Sequence, residues 1–317
     1  MGVFGDYPRT ILELERRFAT DDACREYLFQ LRWPTGFVCP RCEETSAWPA
    51  SRGRFVCRSC RHQTSVTAGT ILESTRKPLT LWFRAIWYVT SQKNGASATN
   101  LQQILGLNSY QTAWTWLHKL RRAMIRPGRE KLTGVVEVDE TYVGGEDPKN
   151  GTWVEQNAVV VIAAEADGTG IGRIRMKTVP RRTRKNLHRF VQEMIEIESV
   201  VHTDGFHAYR EIEAFGYKHK QTVLSRKKKK DAATTLLPRV HRVASLLKRW
   251  LLGTHQGAVS AEHLDYYLDE FTFRFNRRTS RSRGKLFYRL LQHAVEIAPK
   301  PYRSMVGGTK GNADHNI

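Results

Sequence analysis

The spacing of hydrophobic positions changes near residue 130 of this 317-residue chain. From residue 78 to 126, apolar side chains such as Leu79, Trp82 and Phe83 recur every three or four positions, which is typical of helices with one buried face. From residue 131 onward, apolar and polar residues alternate, which is typical of strands. The pattern therefore predicts a helical segment followed by an α/β segment.

Two of the helical stretches flank a glycine. Residues 98–106 and 110–124 predict a short helix, a turn through Gly106, and a second helix rich in lysine and arginine, which is the outline of a helix-turn-helix motif. A small helical bundle with a glycine turn would give the same pattern, so both interpretations stay open. If the motif binds DNA, residues at the start of the second helix would contact bases, and basic residues further along that helix would contact the DNA as well. The predicted contacts are Ser109, Gln111, Thr112, Lys119, Arg121 and Arg122.

The α/β segment has a recognisable order of elements. Strands are predicted at residues 135–145, 157–163 and 171–179, followed by a helix at 184–195, a strand at 200–205 and a fifth strand at 221–224. This order is that of the RNase H-like fold, in which the first strand is central and the fourth runs parallel beside it in a mixed sheet.

The first of these strands is unusual because it carries three acids, Glu137, Asp139 and Glu140. Side chains alternate along a strand, so Glu137 and Asp139 share one face and Glu140 points away, which suits a structural role. In the predicted fold, Asp139 comes close to Asp204 at the end of the fourth strand. Two such carboxylates can hold Mg²⁺ or Mn²⁺ for phosphoryl transfer. A solvated edge strand and a simple Asp-Gly turn at Asp204 are the competing interpretations, and Glu137 is the rival ligand.

A helix predicted at residues 240–252 has an apolar face and an opposite polar stripe. His241, Ser245 and Lys248 lie on that stripe. In the predicted fold, this stripe would face Asp139 and Asp204. A solvated helix face would show the same spacing. Basic residues near this helix are predicted to contact DNA phosphates; they are Arg226, Lys227, Lys228 and Arg249.

Four of the five cysteines form two Cys-x-x-Cys pairs. Cys39 and Cys42 are followed, after fourteen residues, by Cys57 and Cys60. This duplicated spacing predicts a zinc ribbon, in which four thiolates close a tetrahedral structural Zn²⁺ site. Free or redox-active pairs are the alternative. The fifth cysteine, Cys24, lies on the apolar line of a helix predicted at 21–32 and is expected to be a core residue.

The charge of the chain points to a polyanionic partner. The formal net charge is +20, with 51 lysines and arginines spread along the whole length. DNA is the expected partner, and no apolar run approaches the roughly 20 residues that a membrane span needs, so no membrane is expected. The first residues carry acids and no secretory apolar core. We therefore expect a protein of the bacterial cytoplasm, associated with the nucleoid when bound to DNA.

These patterns together predict a multidomain chain. We expect an N-terminal helix and zinc ribbon over residues 1–72, a helical helix-turn-helix domain over 73–130, an α/β RNase H-like catalytic domain over 131–298 and a flexible tail over 299–317.

Taken together, the motifs resemble those of the zinc-ribbon-bearing insertion-sequence transposases of the DDE type, the ISXO-like group, whose catalytic core is related to that of retroviral integrases. The resemblance rests on the paired cysteines and on four stretches. These stretches are residues 109–114 (SYQTAW), 136–145 (VEVDETYVGG), 202–205 (HTDG) and 241–250 (HRVASLLKRW).

The resemblance implies roles for particular residues. Asp139 and Asp204 match the first two metal-binding acids, and the third position precedes a lysine by seven residues. Seven residues before Lys248 stands His241, where the better-known pattern has glutamate. Imidazole binds divalent metals without adding negative charge. Glu262 or Glu270 would be the fallback acid, and Lys248 would hold a DNA phosphate.

The resemblance also implies an activity. The protein would bind the terminal inverted repeats of its element, cleave their 3′ ends with Mg²⁺ or Mn²⁺ and join them to target DNA. Because two DNA ends react together, at least a homodimer on DNA is expected. The alternative is a catalytically inactive DNA-binding regulator derived from a transposase, with His241 as the mark of lost activity.

Overall fold

The computed structural model describes residues 5–126, 128–144, 158–222, 236–256 and 259–306. The chain forms two compact units. Unit 1 contains Met1–Arg126 and Ser280–Ile317, and unit 2 contains Pro127–Thr279. The helices described are α1 Ile11–Arg17, α2 Asp21–Arg32, α3 Leu79–Ser91, α4 Ala98–Leu105, α5 Tyr110–Ala123, α6 Arg184–Met194, α7 Pro238–His255, α8 Leu264–Asn276, α9 Arg283–Glu296 and α10 Tyr302–Val306. The strands described are β1 Ala47–Ala50, β2 Arg54–Cys57, β3 Gln63–Ser65, β4 Val135–Val143, β5 Ala158–Asp167, β6 Gly170–Val179, β7 Val200–Thr203 and β8 Lys218–Gln221.

Local sequence sets the limits of the helices in unit 1. Thr20 caps α2 by accepting a hydrogen bond from the backbone N–H of Ala23 at 3.2 Å, and Ser97 caps α4 in the same way. Gly106 ends α4 in the left-handed conformation, with φ of 60°, which glycine adopts without steric cost. The turn after it leads directly into α5, so the predicted helix, turn and second helix are present. Cys24 is fully buried in α2, as expected of a core residue.

The last two helices belong to unit 1, which corrects the predicted end of the α/β domain at residue 298. The ring of Phe287 in α9 packs against Phe83 and Trp87 of α3, with ring centroids 5.6 and 5.7 Å apart. Aromatic burial of this kind fixes α9 to the N-terminal helices. The segment predicted to be a flexible tail begins with helix α10, whose Met305 is buried; residues 307–317 lie outside the described residues.

Unit 2 is built on a five-stranded mixed sheet with the order β6-β5-β4-β7-β8. Strand β4 is central, antiparallel to β5 and parallel to β7. The predicted RNase H-like strand order is thereby confirmed. The fifth strand occupies Lys218–Gln221, about three residues earlier than predicted, and residues 223 and 224 lie outside the described part of the chain.

The two faces of this sheet carry separate hydrophobic cores. Val136 and Val138 of β4 pack on the side that includes Leu187 and Phe190 of α6. Val160 and Ile162 of β5 pack on the other side, with residues of α7 and α8. Because side chains alternate along β4, the odd-numbered residues, Glu137 and Asp139 among them, lie on the α7 side. Helix α8 packs on β6 at the edge of the sheet, whereas α7 packs on the central strands.

Candidate active site and metal centres

The four paired cysteines form a closed cluster in unit 1. Their sulfur atoms all lie within 4.8 Å of one another, with Cys39 and Cys60 Sγ 3.7 Å apart and Cys42 and Cys57 Sγ 3.6 Å apart. A tetrahedral shell with zinc–sulfur bonds of about 2.3 Å places its sulfurs about 3.8 Å apart, whereas a disulfide requires about 2.05 Å. The spacing therefore fits a structural Zn²⁺ site and does not fit disulfide bonds.

The acids of β4 divide into three different environments. Glu137 is 1% exposed and its carboxylate accepts hydrogen bonds from the backbone N–H groups of Arg239 and Val240, at 2.7 and 3.1 Å. The guanidinium of Arg239 adds an ion pair to Glu137 at 2.8 Å. Both carboxylate oxygens of Glu137 are thus engaged, which weakens its case as the rival metal ligand.

These contacts fix the start of helix α7. Leu237 precedes the helix and provides no side-chain cap, and Pro238 occupies its first turn. The carboxylate of Glu137 therefore acts as the missing cap, where a negative charge also suits the helix dipole. The guanidinium of Arg239 further donates to the carbonyls of Gly168 and Gly170, at 2.8 and 2.9 Å, in the β5–β6 turn. Strand β4, helix α7 and this turn are thereby tied together.

Two residues further along both elements, Asp139 faces His241. Asp139 Oδ2 lies 3.9 Å from His241 Nδ1, and Asp139 Oδ1 accepts the backbone N–H of Glu140 at 2.8 Å. Burial raises the pKa of Asp139, and the nearby charge of Asp204 raises that pKa further, whereas His241 and Arg182 oppose the shift. The structure thus brings Asp139 together with His241 and within electrostatic range of Asp204.

Asp204 directly follows β7 and is exposed. One of its oxygens, Oδ1, accepts the backbone N–H of Phe206 at 2.9 Å, which is the geometry of an Asx turn. The turn interpretation is therefore correct for one oxygen, and it leaves the second oxygen without a hydrogen bond in the described part of the chain.

Lys248 lies on α7 two turns after His241. Seven residues correspond to nearly two full turns, so the two side chains share one stripe of the helix. Lys248 and Arg249 are both exposed.

The fallback acids lie in other surroundings. Glu270 of α8 is fully buried and ion-paired with Arg274 at 2.6 Å, and Glu262 is exposed in the turn before α8.

Glu140 points to the opposite side of β4, where it receives the hydroxyl hydrogen bond of Tyr209. Its side chain is 4% exposed, and its carboxylate lies 4.0 Å from the guanidinium of Arg182. Burial raises the pKa of Glu140 to about 7, and the charges of Asp139 and Asp204 add to that effect. Tyr209 and Arg182 were not predicted to belong to the site, because contacts made across the sheet leave no local periodicity.

The charge of this group of acids suits a divalent cation, whereas its spacing does not form a closed shell of ligands. Three carboxylates lie close enough for their charges to interact, and the pKa of Asp139 is raised, so added positive charge would be stabilised here. Carboxylate oxygens are the ligands that Mg²⁺ and Mn²⁺ prefer. Among the described residues, however, the cysteines are the only set of three or more metal-binding groups within 4.8 Å of one another. Asp139, Asp204 and His241 are thus more widely spaced than a closed shell.

The predicted DNA contacts of α5 fall into two groups. Gln111 is exposed, and Ser109, Thr112, Lys119 and Arg122 are partly exposed. Arg121 is only 2% exposed, so its prediction as a DNA contact is wrong. Arg121 lies one turn after Leu117, on the buried face of the helix, where its guanidinium is 3.4 Å from His118. Arg226, Lys227 and Lys228 lie outside the described residues.

No helix in the described ranges is long and apolar enough to cross a membrane.

Comparisons with known proteins agree with this architecture. Residues 131–276 match the ISXO2-like transposase domain, and residues 19–63 match the transposase zinc-ribbon domain. A protein from Halobacterium salinarum, described as an uncharacterized protein in transposable element ISH50, is 26% identical over 290 residues, which are 85% of this chain and 95% of that protein.

Two solved structures show distant likeness. The catalytic core domain of BIV integrase is 16% identical, with 43% of this chain and 81% of that chain covered and a TM-score of 0.28. A simian T-cell lymphotropic virus intasome in complex with PP2A regulatory subunit B56 gamma is 13% identical, with 64% and 74% covered and a TM-score of 0.32. At these TM-scores neither likeness supports a conclusion. The chain therefore carries a transposase zinc-ribbon domain over residues 19–63 and an ISXO2-like transposase domain over residues 131–276.

Proposed function

We propose that this transposase is of the DDE type. It binds the terminal inverted repeats of its insertion sequence, cleaves their 3′ ends and transfers these ends into target DNA. The observation that carries the proposal is the pair of Asp139 and His241 at 3.9 Å, with Asp204 close enough for its charge to act on Asp139, within a matched transposase domain. Acids on two neighbouring parallel strands, faced by a helix, form a suitable phosphoryl-transfer site.

Asp139, Asp204 and His241 would hold the divalent metal. When bound, Mg²⁺ or Mn²⁺ would activate the attacking oxygen and stabilise the leaving oxygen. In cleavage, a water oxygen attacks the scissile phosphorus and the bond from phosphorus to O3′ breaks, which leaves a 3′-hydroxyl on the element end. In joining, that hydroxyl oxygen attacks a phosphorus of the target strand and expels the target's own O3′.

Other residues would hold the DNA. Lys248, on the stripe of His241, would bind a backbone phosphate, and Arg249 would add a second cationic contact. Ser109, Gln111 and Thr112 would meet bases, since they start the second helix of the helix-turn-helix. The net charge of +20 favours association of the protein with DNA. The protein would act on chromosomal DNA in the cytoplasm. Two element ends must react together, so a dimer or larger assembly on DNA is proposed.

The test is strand cleavage and joining on DNA that carries the element ends, with Mg²⁺ or Mn²⁺ added. Wild-type protein is compared with Asp139→Asn, which keeps the size of the side chain and removes its charge. We expect wild type to release 3′-hydroxyl ends and join them, and Asp139→Asn to bind the same DNA without cleaving it. Binding by wild type without cleavage in either metal would refute the proposal.

Two observations favour a second candidate function. Position 241 holds a histidine, which adds no negative charge, where the better-known family pattern has an acid. The three proposed ligands also do not form a compact group. A regulator that binds the element ends without chemistry would account for both features. The same assay separates the two functions, and a His241→Glu variant that gains cleavage would identify the wild type as the inactive regulator.

A further inference from the structure

Arg182 occupies an unusual position beside the candidate carboxylates. It lies in the loop between β6 and α6, and its guanidinium rests over the rings of Tyr142 and Phe206, 5.3 and 5.0 Å from their centroids. Tyr142 follows Asp139 on β4 by three residues, and Phe206 follows Asp204 by two. The two segments that carry the acids, strand β4 and the turn after β7, therefore also carry the rings that hold Arg182.

Within the described residues, the N–H groups of this guanidinium make no hydrogen bond. Its nearest carboxylate oxygen, on Glu140, is 4.0 Å away, which is beyond hydrogen-bonding distance. No acceptor in the described part of the chain receives an N–H from Arg182, and its side chain is 41% exposed. Glu140 already has the hydroxyl of Tyr209 as its partner, so Arg182 is not needed to satisfy it.

A guanidinium held in this way suits phosphate binding. Stacking on aromatic rings uses the flat faces of the group and leaves its edge of N–H donors open, and that edge matches two phosphate oxygens. The stacking also fixes the side chain before any ligand arrives, which lowers the entropy lost on binding. Three carboxylates nearby would repel a polyanionic backbone, and Arg182 places an opposing charge among them.

We propose that Arg182 binds a phosphate of the DNA backbone next to the scissile phosphate and is held for that purpose by Tyr142 and Phe206. The inference rests on the proposed function, because it takes Asp139 and Asp204 as the centre of the reaction. It adds a phosphate-binding residue that neither the periodicity of the sequence nor the family motifs single out.

The test measures the affinity of the full-length protein for a duplex that carries the terminal repeat of its element. Divalent metal is left out so that the DNA stays intact. Each phosphate around the cleavage point is replaced in turn by an uncharged methylphosphonate. Wild type is compared with Arg182→Ala, Arg182→Lys and Arg181→Ala. Arg181 is the matched control, because it is exposed in the same loop and loses the same charge.

One methylphosphonate position should weaken binding by wild type about tenfold, as expected for the loss of a charge-assisted hydrogen bond. Arg182→Ala should bind unmodified DNA about tenfold more weakly than wild type does. The methylphosphonate at that position should not weaken binding by Arg182→Ala any further, because the mutation and the modification remove the same interaction. Arg182→Lys should recover part of the affinity, and Arg181→Ala should respond to the modification as wild type does.

The inference is overturned if Arg182→Ala remains as sensitive as wild type at every modified phosphate. The proposed function is judged separately, by cleavage after Mg²⁺ or Mn²⁺ is added. A wild type that cleaves, with a modification pattern unchanged by Arg182→Ala, supports the proposed function and refutes the role of Arg182. A wild type that shows the expected pattern but never cleaves supports the role of Arg182 as a phosphate contact and refutes the proposed function.

Discussion

Replacing Glu137 with alanine should release the N-terminal end of helix α7 from strand β4. The change removes a carboxylate that is 1% exposed, together with its bonds to two backbone N–H groups, and leaves the guanidinium of Arg239 without its carboxylate partner. Breaking a buried ion pair on one side costs about 3–5 kcal/mol. The guanidinium keeps its bonds to Gly168 and Gly170, so we expect the lower end of that range.

Hydrogen exchange of the full-length protein, followed by mass spectrometry, measures this loss locally. A cost of about 3 kcal/mol corresponds to roughly a hundredfold faster exchange in peptides from the first turns of α7, if exchange reports the population of the open state. Peptides from α9, in unit 1, should exchange as in wild type. Glu137→Gln should have an intermediate effect, because it keeps an acceptor oxygen and loses the charge.

Glu193→Ala is the matched control in the same unit. Glu193 pairs with Lys177 and Arg189 at 2.7 and 2.8 Å, but its side chain is 33% exposed. Exposed pairs contribute at most about 1 kcal/mol, so this variant should leave exchange in α7 nearly unchanged. The explanation is wrong if Glu137→Ala accelerates α7 by no more than Glu193→Ala does.

Four further outcomes are expected. Cys57→Ser should lower the zinc content measured by metal analysis and unfold the ribbon, since a structural site contributes its binding energy to folding; a stable ribbon with full zinc content would contradict the site. His241→Ala should reduce cleavage more than DNA affinity, and equal losses in both assays would contradict its role as a ligand. Arg121→Ala should lower the melting temperature without changing the salt dependence of DNA binding, because the side chain is buried. Without added metal, Glu140 should make unit 2 less stable as pH rises from about 4.5 to about 7. The pKa of Glu140 is raised from 4.5 to about 7 in the folded state, so the folded state binds the proton more tightly than the unfolded state does. This stabilisation is lost as Glu140 is deprotonated. Glu140→Gln should remove this part of the pH dependence in chemical denaturation, and an unchanged slope would contradict it.

The sequence was sufficient for features that depend on local periodicity. The helix predicted over residues 21–32 is observed as Asp21–Arg32, and the one over 110–124 as Tyr110–Ala123. The strand order followed from the succession of apolar runs, and the side-chain period of two placed Glu137 and Asp139 on one face of β4. The cysteine spacing likewise predicted the closed sulfur cluster.

Features that depend on distant contacts could not be predicted in this way. The bond between Glu137 and the backbone of Arg239 joins positions 102 residues apart, so no local pattern distinguishes Glu137 from Asp139 as a metal ligand. Arg182 stands in an arginine-rich stretch whose members look alike until the rings of Tyr142 and Phe206 single one out. Arg121 is different, because its spacing of four from Leu117 already indicated the buried face.

The ion pair between Glu137 and Arg239 positions helix α7 against strand β4 without using the side chains of the proposed metal ligands. The two residues that lock β4 to α7 each precede a proposed metal ligand, Asp139 or His241, by two positions. The placement of residue 241 is therefore set by its neighbours and not by its own side chain. A lineage of such enzymes could exchange histidine, asparagine or glutamate at this position without rebuilding the fold. A one-residue insertion between residues 239 and 241 would instead turn the third ligand away from the acids, whatever its chemistry.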